Sequence, residues 1–248
     1  MSDPNESPKN DGARRVDGAQ ADHLRRVADR VAGHAADAPA PFDRTVVLFG
    51  AKGGVGVSVA TLAVASDLAA AAERSSGKVL AVDAHWGRDD LSILARQRTD
   101  SAVRLTTAAN LGATRQTGQA AQSAAARRLL SATRRWAPED TDWVVVDAGV
   151  IDDAWGLGLA QRASKPLLVT TPDDLSIVNA FRQLKRLGPT AGRVGVVVNH
   201  CPDADAAASI VERIAASCRA FLGAAPALAG WMPTSLADPA AESVRSAA

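Results

Sequence analysis

The order of apolar and polar stretches along the chain predicts strands that alternate with helices. Short apolar runs recur at 45–49, 78–83, 142–147, 165–171, 193–199 and 227–232. Each run is continuous rather than alternating, which is typical of strands that are buried on both faces. Patterns with helical spacing lie between the runs, at 58–72, about 120–135, 174–187 and 204–222. The sequence therefore predicts an α/β fold, a mainly parallel β-sheet flanked by helices on both faces.

Two parts of the chain, 1–42 and 97–120, do not follow this alternation of predicted strands and helices. Residues 1–42 form a predicted tail, in which polar residues precede a short helix at about 17–34 and an Ala/Pro-rich linker follows it. Residues 43–248 form a single predicted domain. Within that domain, the segment 97–120 is rich in Thr, Gln and Ala and predicts either a mobile loop or a short helix.

Composition and charge give no reason to expect nucleic acid or a membrane as the binding partner. The 248 residues carry 28 basic and 27 acidic side chains, so the net charge of +1 gives no strong field for nucleic acid or for a membrane surface. The stretch LADPAAESVRSAA has only Val244 as a bulky apolar residue, and we therefore expect no stable membrane anchor there. Two cysteines without a C-x-x-C pair, and a polar N-terminus unlike a signal peptide, indicate a cytoplasmic protein.

A glycine-rich turn joins the first predicted strand to the first predicted helix, in the stretch TVVLF-GAKGGVGV-SVATLAVASDLAA. A phosphate-binding loop occurs in this context. Gly53, Gly54 and Gly56 allow backbone N–H groups to converge on phosphate oxygens beside a helix N-terminus. Ser58 stands where such a loop holds Mg²⁺, whereas Val57 stands where the loop lysine is expected. A purely structural strand-to-helix turn is the alternative.

The stretch AKGGVGVS resembles the deviant Walker A motif K-G-G-V-G-K-[ST] of the MinD/ParA family of ATPases. The resemblance covers residues 44 to about 245 and implies a P-loop NTPase fold that binds ATP or ADP with Mg²⁺. In this family the early lysine, here Lys52, reaches across a dimer interface to the partner's nucleotide. The second lysine, which contacts the β- and γ-phosphates, is replaced by Val57. The nucleotide-binding loop residues that the resemblance implies are Lys52, Gly53, Gly54, Val55, Gly56, Val57 and Ser58.

Two further stretches resemble the switch regions of the same family. VLAVDAHWGRDDLSILA resembles switch I, with Asp83 in the metal shell and His85 in place of the aspartate that positions the attacking water. DWVVVDAG resembles the Walker B and switch II region, with Asp147 near the Mg²⁺ and Gly149 beside the γ-phosphate. The implied metal-binding residues are Ser58, Asp83 and Asp147, and no residue is assigned as catalytic.

The last two landmarks concern the base of the nucleotide. VGVVVNHC and GWMP resemble the family's adenine-binding segments, which implies that Asn199 and Pro233 contact the base. Simpler interpretations stay open for each landmark. Asp83 and Asp147 could merely end strands, and Asn199 could be a turn residue. His85 could be exposed, or could share a metal with Asp83.

The substitutions at Val57 and His85 predict a P-loop site that is impaired for hydrolysis. Valine neither donates a hydrogen bond nor carries charge. Loss of one charge-assisted hydrogen bond, worth about 1.5–3 kcal/mol, weakens triphosphate binding by about tenfold to a hundredfold. A histidine ring places its nitrogen differently from a short carboxylate. We therefore expect weak or absent ATPase activity, and a weak homodimer or none.

The stretch AQADHLR, residues 19–25, resembles the D-Q-A-x-x-L-R motif that precedes the ATPase domain of FlhG, the MinD-like regulators of flagellar number and placement. This resemblance implies that Gln20, Leu24 and Arg25 contact an FlhF-like GTPase and that the helix stimulates GTP hydrolysis. An ordinary amphipathic surface helix is the alternative. Other functions left open are a slow ATP-dependent ParA/MinD-type switch and a MinD-like partner in polar pilus or secretion assembly.

Overall fold

The computed structural model describes residues 44–72, 78–86, 90–95, 103–136 and 141–234. The predicted docking helix with Gln20, Leu24 and Arg25 lies outside these residues. Within them, the strands form one sheet in the order β3-β2-β4-β1-β5-β6-β7, and each neighbouring pair is parallel. The strands are β1 (Thr45–Gly50), β2 (Lys78–Asp83), β3 (Val103–Thr107), β4 (Thr141–Val150), β5 (Lys165–Thr170), β6 (Gly195–Val198) and β7 (Ala227–Trp231).

Helices cover both faces of the sheet, as the sequence predicted. They are α1 (Val57–Ala72), α2 (Asp90–Ala95), α3 (Gln119–Trp136), α4 (Ala154–Arg162), α5 (Asp174–Leu187) and α6 (Ala204–Leu222), with a 3₁₀ turn at Gly188–Arg193. No helix in the described ranges has the length and apolar character needed to cross a membrane.

The central strand β1 shows why its apolar run is continuous. Val46 and Leu48 pack into the cluster built with α1 and α2, whereas Val47 and Phe49 pack into the cluster built with α3, α4, α5 and α6. All four side chains are fully buried. Successive residues of a strand point to opposite faces, so a strand with a core on each side needs an apolar residue at every position.

The segment 97–120 contains a strand, and the prediction of a mobile loop or short helix for it was wrong over Val103–Thr107. β3 pairs only with β2, at the edge of the sheet, and its side chains are partly buried or exposed. The sequence VRLTT therefore carries no continuous apolar run. An edge strand needs less apolar surface than a central strand. β3 therefore lacks the continuous apolar run from which the other strands were predicted.

Helix α4 was also absent from the sequence prediction. Its sequence, AWGLGLAQR, contains two glycines, each of which disfavours a helix by about 1 kcal/mol relative to alanine. Tertiary packing outweighs this cost, because a Cβ on Gly158 would lie only 3.0 Å from the Cβ of Ala126 on α3. Asp153 begins the helix by accepting hydrogen bonds from the backbone N–H groups of Trp155 and Gly156 (both 3.1 Å).

The carboxyl ends of the central strands meet at one edge of the sheet. Asp83, the last residue of β2, is the register partner of Asp147 on β4. Gly50, the last residue of β1, is the register partner of Val150. Ligands of open α/β sheets bind outside this edge, so the glycine-rich loop and the two aspartates lie where a site is expected.

Candidate functional site

The glycine-rich loop connects β1 to α1 at the carboxyl edge of the sheet. Gly54 and Gly56 have positive φ angles of 78° and 88°, which side chains other than glycine rarely adopt. A Cβ on Gly53 or Gly54 would meet no atom within 4 Å, so the outer part of the loop faces open space. The loop therefore presents backbone N–H groups and the start of α1 to a ligand, as a phosphate cradle does.

Asn199 supports this loop from the strand next to β5. Its side-chain nitrogen Nδ2 donates to the carbonyl oxygen of Val55 (2.9 Å), and its oxygen Oδ1 accepts from the backbone N–H of His200 (2.9 Å). A Cβ on Gly56 would overlap Nδ2 of Asn199. The predicted adenine contact is thus a buried residue, 5% exposed, whose amide is directed at the loop.

Val57, at the position of the missing lysine, is the first residue of α1 and is 8% exposed. Its Cγ2 would lie 2.8 Å from a Cβ on Gly50, so the valine packs directly on the end of β1. It belongs to the apolar cluster beneath α1. The valine side chain contributes no hydrogen-bond donor and no positive charge to the loop.

Two buried carboxylates lie side by side below the loop. Asp83 accepts hydrogen bonds from the backbone N–H groups of His85 (3.1 Å) and Leu91 (3.4 Å), and Asp147 accepts one from Gly149 (2.9 Å). Burial raises the pKa of the Asp83 carboxyl to about 6; the N–H of His85 opposes the rise, and the negative charge of Asp147 adds to it. A divalent cation would neutralise this charge, and carboxylate oxygens are ligands that Mg²⁺ accepts, so Asp83 and Asp147 suit the predicted metal position. The third predicted ligand, Ser58, lies on the lining of the cavity at the loop.

His85 lies on the glycine of the predicted switch II. A Cβ on Gly149 would come within 2.7 Å of the ring carbons of His85. The next residue, Trp86, packs against Trp155 with ring centroids 5.0 Å apart, and the indole N–H of Trp155 donates to the carbonyl oxygen of Ala84 (3.0 Å). These contacts hold the turn after β2 against the segment after β4.

Lys52 forms an ion pair within its own chain. Its Nζ lies 2.8 Å from Oδ1 of Asp173, the residue that caps α5. Hydrogen bonds from Lys52 and, to a smaller extent, from the hydroxyl of Thr171 lower the pKa of the Asp173 carboxyl to about 2. The lysine that the resemblance directs across a dimer is therefore directed here at the neighbouring loop.

A cavity of about 780 Å³ opens in front of the loop. Its lining includes six of the predicted loop residues, namely Lys52, Gly53, Gly54, Gly56, Val57 and Ser58. His85, Gly149 and several residues of α5 also line this cavity. The lining does not include five predicted site residues, namely Val55, Asp83, Asp147, Asn199 and Pro233. Asn199 and Pro233 flank adjacent strand ends, since Met232 donates to Val198 (2.8 Å).

A parallel sheet with helices on both faces, a glycine-rich loop after the central strand and two acidic residues on neighbouring strands define the P-loop NTPase fold of the MinD/ParA type. Solved structures share it. A ParA family ATPase from Chlorobium tepidum superposes with a TM-score of 0.50 at 19% identity, over 79% of this chain and 85% of that one. Apo McdA from Cyanothece superposes with a TM-score of 0.52 at 15% identity, over 70% and 82%. No protein-family model and no curated protein matches the sequence.

Several cavity residues were not found from the sequence. The stretch TPDDLS predicts the start of α5, because Asp173 precedes the helix, but not the ion pair with Lys52 across 121 residues. Arg182 and Gln183 lie within an ordinary amphipathic pattern, and only the tertiary structure places them on the cavity wall. Among the described residues there is no cluster of three or more His, Cys, Asp or Glu side chains, and a metal shared by His85 and Asp83 stays a hypothesis.

Proposed function

We propose that this chain is a MinD/ParA-type regulatory protein whose P-loop binds ATP or ADP with Mg²⁺ but hydrolyses it poorly. The observation that carries the proposal is the position of Val57, an apolar side chain packed beneath a loop that otherwise has the shape of a phosphate cradle. Catalysis of phosphoryl transfer depends on neutralising charge on the phosphate oxygens. A loop without its lysine binds through backbone N–H groups and Mg²⁺ and loses much of the rate.

His85 adds to this loss in the proposal. The resemblance expects a carboxylate there to position the attacking water, whereas the imidazole ring lies flat against Gly149. The N–H of Gly149 is also engaged with Asp147 (2.9 Å). Both contacts support a site that holds nucleotide without the geometry needed to activate water.

The more specific part of the proposal is an FlhG-like function in the cytoplasm. Its support is the stretch AQADHLR, with Gln20, Leu24 and Arg25 as the residues that would contact an FlhF-like GTPase. A glutamine suits this role, because its amide can orient an attacking water in a GTPase site. In this arrangement the N-terminal helix acts on the partner, and the P-loop domain serves as a nucleotide-dependent or constitutive platform.

Calorimetric titration of ATP and ADP, with and without Mg²⁺, tests the nucleotide site. We expect Mg²⁺-dependent binding that Ser58→Ala weakens, and phosphate release at the background rate. Val59→Ala, in the same helix and on the same cavity wall, is the matched control. Absence of any binding at millimolar nucleotide would contradict the proposal.

The second candidate is a slow ATP-dependent switch of the ParA/MinD type. The register pairing of Asp83 with Asp147 favours it, since two carboxylates at neighbouring strand ends are suited to bind Mg²⁺. Phosphate release that Asp147→Ala abolishes would support this candidate over the first. A MinD-like role in polar pilus or secretion assembly shares the same nucleotide site and differs in its partner.

A further inference from the structure

One side of helix α5 lines the same cavity as the glycine-rich loop. Asn179, Arg182, Gln183 and Arg186 all line the cavity. Their spacing of three, four and seven residues places them on one face of the helix. This polar stripe lies next to the buried stripe of the same helix, which includes Ile177, Ala180 and Leu184.

Gln183 lies at the boundary between the two stripes. It is 7% exposed, and its buried side-chain oxygen Oε1 accepts no hydrogen bond from any residue that the structure describes. A buried acceptor without a donor costs about 1–3 kcal/mol. Gln183 nevertheless lines the cavity, so this part of the wall carries a polar side chain.

The three cations of the cavity differ in how they are used. Lys52 is paired with Asp173 (2.8 Å). Arg186 donates to the backbone carbonyl oxygens of Ile151 and Asp152. Arg182 donates to the neutral side-chain oxygen of Asn179 (3.2 Å), and no carboxylate in the part of the chain that the structure describes pairs with it. Its guanidinium therefore keeps donors and a full positive charge for a ligand.

We infer that Arg182 replaces the missing loop lysine, and that the cavity binds a polyphosphate between the backbone N–H groups of the loop and the guanidinium of Arg182. The inference rests on the proposed nucleotide site and adds to it the residue that supplies the second positive contact. At Val57 the loop lacks the cation that the resemblance expects. Arg182 provides a cation from helix α5, which lines the same cavity. A guanidinium suits this task, because it binds phosphate oxygens with two parallel hydrogen bonds.

The test is calorimetric titration of Mg²⁺-ATP and of inorganic tripolyphosphate into the purified full chain. Arg182→Ala should weaken the binding of both ligands by about tenfold to a hundredfold, the loss expected for one charge-assisted hydrogen bond. Arg182→Lys should restore part of the affinity. Lys185→Ala is the matched control, because Lys185 is an exposed cation of the same helix that does not line the cavity, and it should change affinity by less than about twofold.

A second variant, Asn179→Asp, tests the role of the Arg182 charge while Arg182 itself stays in place. Asn179→Asp keeps the size of the side chain and turns the hydrogen bond at 3.2 Å into an ion pair. It should weaken phosphate binding more in the wild-type background than in the Arg182→Ala background, because in the latter only the repulsion between the new carboxylate and the phosphate remains. Such coupling between neighbouring residues is what a double-mutant cycle measures.

The outcomes distinguish the role of Arg182 from the existence of the nucleotide site. Wild-type binding that Arg182→Ala and Asn179→Asp leave unchanged overturns the role of Arg182 and leaves the nucleotide site intact. Binding of ATP without binding of tripolyphosphate, together with loss of ATP binding in Arg182→Ala, also overturns it, because the contact would then be to the nucleoside. Absence of ATP binding by the wild-type protein overturns both.

Discussion

The side-chain amide of Asn199 donates to the carbonyl oxygen of Val55 at 2.9 Å, across 144 residues of sequence. This contact fixes the phosphate loop from beneath. Gly56 lies between the two residues, because a Cβ at that position would overlap Nδ2 of Asn199. The shape of the loop therefore depends on one glycine and one asparagine from different parts of the chain.

Gly56→Ala should destabilise the protein and weaken nucleotide binding. The substitution forces alanine to a φ of 88° and displaces Asn199, and such local strain costs about 1–3 kcal/mol. Gly53→Ala is the control, because its Cβ would meet open space, and a change within about 0.5 kcal/mol is expected. Urea unfolding measures the stability of both variants. Equal stabilities for the two variants would contradict the supporting role of Asn199.

Val57→Lys should strengthen the binding of Mg²⁺-ATP by about tenfold to a hundredfold while phosphate release stays low. The new ammonium restores a phosphate contact, but His85 still occupies the position of the carboxylate. Val59→Lys places the same charge two residues further along the cavity wall and controls for a general electrostatic effect. Full turnover in Val57→Lys would show that His85 does not limit hydrolysis.

The protein should sediment mostly as a monomer, with or without Mg²⁺-ATP. Lys52 is held by Asp173 of its own chain, and weak nucleotide binding supplies little free energy to favour a dimer. Lys52→Ala should leave the sedimentation coefficient unchanged. A tight ATP-dependent dimer that Lys52→Ala dissolves would refute the prediction of a monomer.

Asp173→Asn keeps an oxygen to cap α5 and should lower the unfolding free energy by less than about 1 kcal/mol, since the ion pair with Lys52 is partly exposed.

The unfolding free energy should fall as the pH rises from about 4 to about 6 in the absence of Mg²⁺. The pKa of Asp83 is raised from 3.8 to about 6 by burial, so the folded protein binds this proton more tightly than the unfolded chain does. Its contribution is complete below the unfolded pKa and is lost as the pH passes the folded value. A shift of about two pKa units corresponds to about 3 kcal/mol.

Urea titrations at several pH values test this dependence, with Asp83→Asn as the comparison. The variant should show a smaller loss of stability between pH 4 and pH 6, and Mg²⁺ should stabilise the wild-type protein more at pH 7 than at pH 4. Identical slopes for the two proteins would contradict the assignment to Asp83.

A peptide of residues 1–40 should bind the cognate FlhF-like GTPase and stimulate its GTP hydrolysis. Gln20→Ala should reduce the stimulation and leave most of the binding, because the amide acts on water rather than as an anchor. Leu24→Ala should weaken the binding, since it removes an apolar anchor. A peptide that neither binds nor stimulates the GTPase would remove the main support for the flagellar assignment.

The sequence by itself determined the sheet and most of its helices. Positions 46–49 and 79–82 are all apolar because both faces of their strands are covered, so burial left a direct signal in the sequence. α5 and α6 begin and end where the pattern predicted, at Asp174–Leu187 and Ala204–Leu222. The edge strand β3 and the glycine-containing α4 left no such signal, because one is half-exposed and the other is stabilised by its packing on α3.

The sequence also located the glycine-rich loop, since Gly53, Gly54, Gly56 and Val57 lie within five consecutive positions. Only the tertiary structure decided what surrounds that loop. It directed Asn199 at Val55, paired Lys52 with Asp173 and brought Arg182 to the cavity that the loop also lines. Contacts between residues more than 100 positions apart follow from the order and register of the strands, and local patterns of apolar and polar residues do not encode them.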